Sequence, residues 1–117
     1  MADDIFCKII NKEAPADIIM ETDDWMAFRD IHPQAPVHVL IVPKKHVQDL
    51  SFAKEEDREL VGKLIMAAKE VAGKLKLDKG FRLIINQGEH GGPLVPHLHV
   101  HLLGGKYLGA KIVADTN

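Results

Sequence analysis

The 117-residue sequence has one cysteine, one tryptophan and one tyrosine, and aromatic residues make up only 5% of it. With Cys7 alone, no internal disulfide can staple the chain, so the fold must be held by burial. No apolar run approaches the ~20 residues of a membrane span, and the acidic opening MADDIF lacks the basic-then-apolar character of a signal peptide. Charge of one sign is also missing. Fifteen Lys and Arg stand against seventeen Asp and Glu, and the resulting net charge of -2 gives no electrostatic case for nucleic acid. Repeats, low-complexity tracts and Pro/Gly/Ser linkers are absent. These gaps leave one domain over residues 1–117, expected to be cytoplasmic, with neither a membrane nor a nucleic acid as partner.

What is present is ordinary globular material, 46% apolar and 27% charged. Asp3 or Asp4 can cap a short first helix whose Ile5, Phe6, Ile9 and Ile10 recur at helical spacing before APAD ends it. DIIME and WMAFRD, separated by TDD, read as a β-hairpin. After the proline loop HPQAP, the near-continuous apolar run VHVLIVPKK suits an interior strand ending at Pro43. From Lys54 to Lys76, apolar residues at 60, 61, 64, 65, 68, 71, 72 and 75 occupy a stripe about 140° wide, which predicts a long amphipathic helix. Gly62 and Gly73 fall opposite that stripe, on an exposed face or at a close helix contact between copies. GFRLIIN and HLHVHLL are the last strands. The class is α+β, an antiparallel sheet with the long helix on one face.

The segment PHLHVHLLGG carries the chemistry. Strand alternation puts His97, His99 and His101 on one face and Leu98, Val100 and Leu102 in the core, so His99 is expected to have an imidazole on either side. A solvated polar face would suit one histidine better than three in strict alternation. A metal site is a second reading, but His97 and His101 would lie ~13 Å apart at Cα on a regular strand, too far to share an ion with bonds near ~2 Å. Two of them with His38 could manage. The third reading is nucleophilic catalysis at phosphorus: an imidazole with one nitrogen held as a donor leaves the other bare to attack, and the flanking rings support the developing charge. His99 is then expected to stay neutral near pH 7.

On HLHVHLLGG, on DIHPQAPVHVLIVPKKH, on NQGEHGG and on the opening DIFCKIINKEAPADII, in that family's order, the sequence resembles the histidine triad (HIT) superfamily, in particular its nucleotide-binding Hint branch. The resemblance implies a HIT-like homodimer acting at the α-phosphate of a purine nucleotide, without a cofactor. The implied activity is that of a nucleoside phosphoramidate hydrolase, with His99 as the nucleophile that forms a nucleotidyl-histidine. By the same resemblance His97 and His101 flank the nucleophile, His38 supports them, Asn86 helps hold the phosphate region and Asp30 takes the ribose hydroxyls. Ile5, Phe6, Ile9, Phe28, Ile31 and Leu40 form the base pocket. Read from the residues alone, these six would be core. Other readings are a dinucleoside polyphosphate hydrolase, a nucleotide-binding interaction module and, more distantly, a metal-dependent hydrolase.

Several positions depart from the family pattern. Leu94 stands where eukaryotic Hint proteins have a serine near the leaving group, and Pro96 replaces the usual tyrosine before the first histidine. Cys7 lacks the second thiol of the paired-cysteine zinc site found in some bacterial relatives, so no structural zinc is expected. GEHGG has no following Lys-Ser/Thr and is expected to open no helix, which excludes a P-loop. His46 and His90 read as surface or loop residues, and His32 has no assigned role.

Overall fold

Five short apolar segments build one antiparallel sheet in the computed structural model, which describes residues 4–110 and residue 112. The strands are β1 (Ile18–Glu21), β2 (Trp25–Arg29), β3 (Val37–Pro43), β4 (Phe81–Ile84) and β5 (Val100–Gly104), ordered β1-β2-β3-β5-β4. The β1–β2 hairpin turns at Thr22, whose hydroxyl oxygen accepts the N–H groups of Asp24 (3.2 Å) and Trp25 (3.1 Å). Central β3 pairs with β2 on one side and β5 on the other.

Both faces of β3 are buried, which is why its sequence is apolar but for His38. Val39 and Ile41 join Ala27, Val100 and Leu102 beneath α2 (Arg58–Lys74), whose Leu64, Ala67, Ala68, Val71 and Ala72 complete that core. On the opposite face Leu40 and Val42 pack with Met26 and Phe28 beneath α1 (Ile5–Ile10), which contributes Phe6 and Ile9. Asp4 caps α1, its Oδ1 accepting the Cys7 N–H at 2.8 Å; Asp3 lies outside the described residues.

Some expected boundaries move. The long helix begins at Arg58, because Glu55–Asp57 form a tighter 3-10 turn closed by Asp57 Oδ2 accepting the Lys54 N–H at 2.9 Å. Within α2, Ala67 is buried, whereas Ile65 and Met66 are exposed. Gly62 and Gly73 are exposed, with open space where a Cβ would stand. The segment around GEHGG does form a helical turn, α3 (Gly88–Gly91), bracketed by the positive φ of Gly88 and Gly92. Ladder pairing in the last strand starts only at Val100. Upstream, the His97 N–H turns back to the Val95 carbonyl (2.9 Å) and the Leu98 N–H goes to the Val47 carbonyl (2.7 Å). No helix among the described residues is long and apolar enough to cross a membrane.

Candidate active site

The bend before β5 determines how the histidines meet. Leu98, Val100 and Leu102 do point into the α2 core, as alternation requires, and His97 and His99 are buried on the other side. His99 Nδ1 lies 2.7 Å from the carbonyl oxygen of His97. A carbonyl can only accept, so Nδ1 carries the hydrogen and Nε2 keeps its lone pair. The expected flanking by two rings is only half met. The His101 ring centroid is 5.0 Å from that of His99, while the His97 ring turns toward His46 at 5.0 Å and serves His99 through its carbonyl. The Phe6 ring, edge-on at 5.1 Å, covers His99 instead. Burial pushes the His99 pKa below the ordinary imidazole value and the neighbouring His97 adds to this, against the pull of the carbonyl bond.

A second chain of hydrogen bonds fixes His101. The Gln34 backbone N–H donates to His38 Nδ1 at 3.0 Å, so the His38 hydrogen must sit on Nε2. From there it is donated to His101 Nδ1 at 2.9 Å, which leaves the His101 hydrogen on Nε2. Burial, with His99 and His38 close by, pushes the His101 pKa down to about 4, so the ring is a neutral donor at pH 7. Asp30 Oδ2 stands 3.4 Å from His38 Nε2, and its Oδ1 accepts the His32 N–H at 2.9 Å. Asp30, His38 and His101 also offer ligand atoms within 4.8 Å of one another. The donor–acceptor match between the two rings accounts for their spacing without an ion.

Cross-strand register puts Phe28 opposite Leu40 and Leu40 opposite His101, so an apolar row leads directly to the imidazoles. That row floors a cleft of about 600 Å³ whose walls include Ile5, Phe6, Ile9, Ile31, Asp30, Asn86, His99 and His101. Volumes of this order hold a small ligand. The structure thus brings together ten of the twelve residues named from sequence, with His97 and His38 supporting from behind. Sequence reasoning missed Ala14, Pro15, Ala16 and Val95 along the rim, and His32, which also lines the cleft. A second cleft, about 450 Å³, adjoins on the other side of His99 and shares Asn86, Leu94 and Val95. Asn86 sits beneath α3, where Gly91 comes so close that a Cβ would lie 3.2 Å from the Asn86 carbonyl carbon.

Leu94 lines both clefts and is 96% exposed. Leu94→Ser is therefore expected to leave the melting temperature unchanged, since no burial is lost within the chain. If a hydroxyl there orients or protonates a departing amine, single-turnover rates for amine leaving groups should rise about five- to tenfold, the worth of one hydrogen bond. Leaving groups too acidic to need protonation should show no gain. A serine variant no faster than the parent with amine leaving groups would dismiss the hydroxyl account.

Sequence reasoning also missed a cluster around Asp4. Its Oδ2 lies 3.2 Å from His97 Nδ1, 3.1 Å from His46 Nδ1 and 3.3 Å from Cys7 Sγ, and the same sulfur is 3.5 Å from each of those two ring nitrogens. Such separations match the edges of a tetrahedron with metal bonds of ~2.0–2.3 Å, so the donor set fits a zinc-like ion. The expectation of no structural zinc rested on the missing second thiol, and the structure places a carboxylate there. An ion held by Asp4, Cys7, His46 and His97 would supply a structural cross-link between α1 and the triad.

A family model described as the HIT domain matches residues 11–108. The chain belongs to the HIT family. It is 53% identical over 107 residues to a protein of Synechocystis named an uncharacterized HIT-like protein, covering 91% of this chain and 94% of that one. The solved structure of a HIT family hydrolase from Clostridium thermocellum superposes with a TM-score of 0.92 at 43% identity, over 97% of this chain and 99% of that one. A histidine triad nucleotide-binding protein from Candida albicans gives a TM-score of 0.82 at 32% identity, over 98% and 86% of the two chains. Five antiparallel strands with a helix are the HIT fold, and hydrolysis and nucleotide binding are the family-level functions.

Proposed function

We propose that this HIT protein is a purine nucleoside phosphoramidase that works through a nucleotidyl-histidine. The observation that carries the reading is the buried His99 at the end of an apolar cleft, with its hydrogen committed to the His97 carbonyl and Nε2 bare. In the first step Nε2 bonds to the α-phosphorus while the phosphorus–nitrogen bond breaks, and the departing nitrogen takes up a proton from solvent, which the attacking water of the second step returns. His101 donates from Nε2 to a phosphoryl oxygen as charge builds there, and the His97 carbonyl stabilises the His99 cation. Water then attacks phosphorus, the bond to Nε2 breaks, and a nucleoside monophosphate leaves. The base rests between α1 and the Phe28–Leu40 row, where burial contributes about 25 cal/mol per Å² and does little to tell adenine from guanine. Asp30 receives the ribose hydroxyls. Two copies pair through the β4 edge, where Phe81 and Ile84 are exposed, and the side of α2 carrying Ile65 and Met66.

The test is release of AMP from an adenosine 5'-phosphoramidate carrying a fluorogenic amine, with and without chelator. Release is expected in both, because no step at phosphorus uses a metal, and the guanosine compound should be turned over with similar efficiency. The 2',3'-dideoxy analogue should lose about ten- to hundredfold in kcat/KM, since hydrogen bonds to a carboxylate contribute ~1.5–3 kcal/mol. Equal use of the dideoxy compound would take Asp30 out of the site, and release with no nucleotidyl-histidine trapped by rapid quench would overturn the nucleophilic reading.

A further inference from the structure

We propose that Asp4 is a positioning residue for His99, acting through His97; this rests on reading His99 as the nucleophile. His97 is fully buried, and both of its ring nitrogens are engaged. The Pro43 carbonyl at 2.9 Å and Asp4 Oδ2 at 3.2 Å can both only accept, so both ring nitrogens carry hydrogens, Nε2 donating to the first and Nδ1 to the second. Its main chain is held as firmly, by its own N–H to Val95 and by the next N–H to Val47. With ring and backbone both fixed, the His97 carbonyl has one direction to point, and His99 Nδ1 lies along it at 2.7 Å.

Asp4 is the part of this brace that also belongs to the nucleotide cleft. Its Oδ1 caps α1, the helix whose Ile5, Phe6 and Ile9 wall the cleft, while Oδ2 reaches His97. One carboxylate therefore ties the cleft wall to the residue that sets the nucleophile's tautomer. Without it, the His97 ring keeps only the weaker Cys7 sulfur at Nδ1 and can tilt about its Pro43 bond, which shifts the carbonyl relative to His99 Nδ1 and lets His99 place its hydrogen on either nitrogen.

Two substitutions separate this role from helix capping. Serine is as good a cap as aspartate but is too short to reach His97, whereas asparagine keeps both cap and reach. All samples are stripped with chelator and checked for metal. Asp4→Ser is expected to melt a few degrees lower, since a buried ring nitrogen loses its carboxylate, to bind AMP within about threefold of wild type, and to lose at least about tenfold in single-turnover rate. Nitrogen-15 NMR should show His99 moving from one tautomer, hydrogen on Nδ1, to a mixture. Asp4→Asn should restore the rate and the single tautomer. A serine variant with wild-type rate and tautomer would overturn the proposal, as would a rate loss matched by an equal loss of AMP affinity, the mark of mere pocket support. Stripped wild type that already shows mixed tautomers, cured by zinc, would overturn it in favour of an ion as the brace. The tautomer is read without turnover, so an inactive wild type that still shows the Asp4-dependent tautomer would refute the phosphoramidase reading and leave the positioning intact.

Discussion

Turnover of a phosphoramidate is expected to vanish in His99→Ala, by about 10³-fold or more, while AMP still binds. Without the imidazole no nitrogen is placed to attack phosphorus, and water must do so unaided, losing the benefit of an oriented nucleophile. Binding should survive because the cleft walls stand apart from that ring: Phe6 packs on Phe28 at 5.5 Å, and Leu40 and Ile9 are buried among other apolar side chains. Loss of Phe6's contact with the ring should weaken AMP by no more than about fivefold, the worth of one aromatic pair. Calorimetric titration with AMP, paired with a rapid-quench search for nucleotidyl-protein, checks both halves. A variant with activity within tenfold of wild type, free of contaminating enzyme, would remove His99 from the chemistry.

The second large effect is an acid limb displaced from where histidines ordinarily titrate. His99 and His101 are both depressed below the ordinary imidazole value of 6.5, the latter to about 4, in each case first through burial. The reactive form needs both rings neutral, one as nucleophile and one as donor from Nε2. The rate of the first chemical step should therefore hold at pH 6.5, where ordinary imidazoles would already have halved it, and its acid limb should lie below that, with the His101 part near 4. Stability follows the same sign. Protonation favours the unfolded chain, so the contribution of these neutral rings is complete above about pH 6.5 and is lost as the pH falls toward the folded values. A rate that halves near pH 6.5 would mean two ordinary imidazoles and no desolvation in the cleft.

The parts of this molecule written in short-range pattern were legible from sequence, and those that depend on chain crossing were not. Alternation placed Leu98, Val100 and Leu102 in the core, and helical spacing located α1 and α2 to within a few residues. The bend at His97 was hidden, because Pro96 and the pairing of Leu98 with Val47 break a ladder that the residues HLHVHLL, taken alone, would continue. Asp30, Asn86 and the six apolar cleft residues were found only through resemblance, since a base pocket and a hydrophobic core use the same side chains. The Asp4 cluster gave no local signal at all. Its four members come from a helix cap, the helix itself, the turn after β3 and the approach to β5, and no spacing in the sequence links them.

Central β3 has a consequence for how the protein folds. The same strand lays Val39 and Ile41 beneath α2 and turns His38 and Leu40 toward the imidazoles, and one of its two neighbours, β5, arrives from the far end of the chain. Half of the molecule cannot assemble the row of imidazoles while the other half waits. The slow, high-contact-order pairing of β3 with β5 closes the hydrophobic core and the row of imidazoles in one event. Nascent chains released before β5 emerges would leave one edge of β3 unpaired, so the protein sheds that aggregation-prone edge at the moment its row of imidazoles is completed.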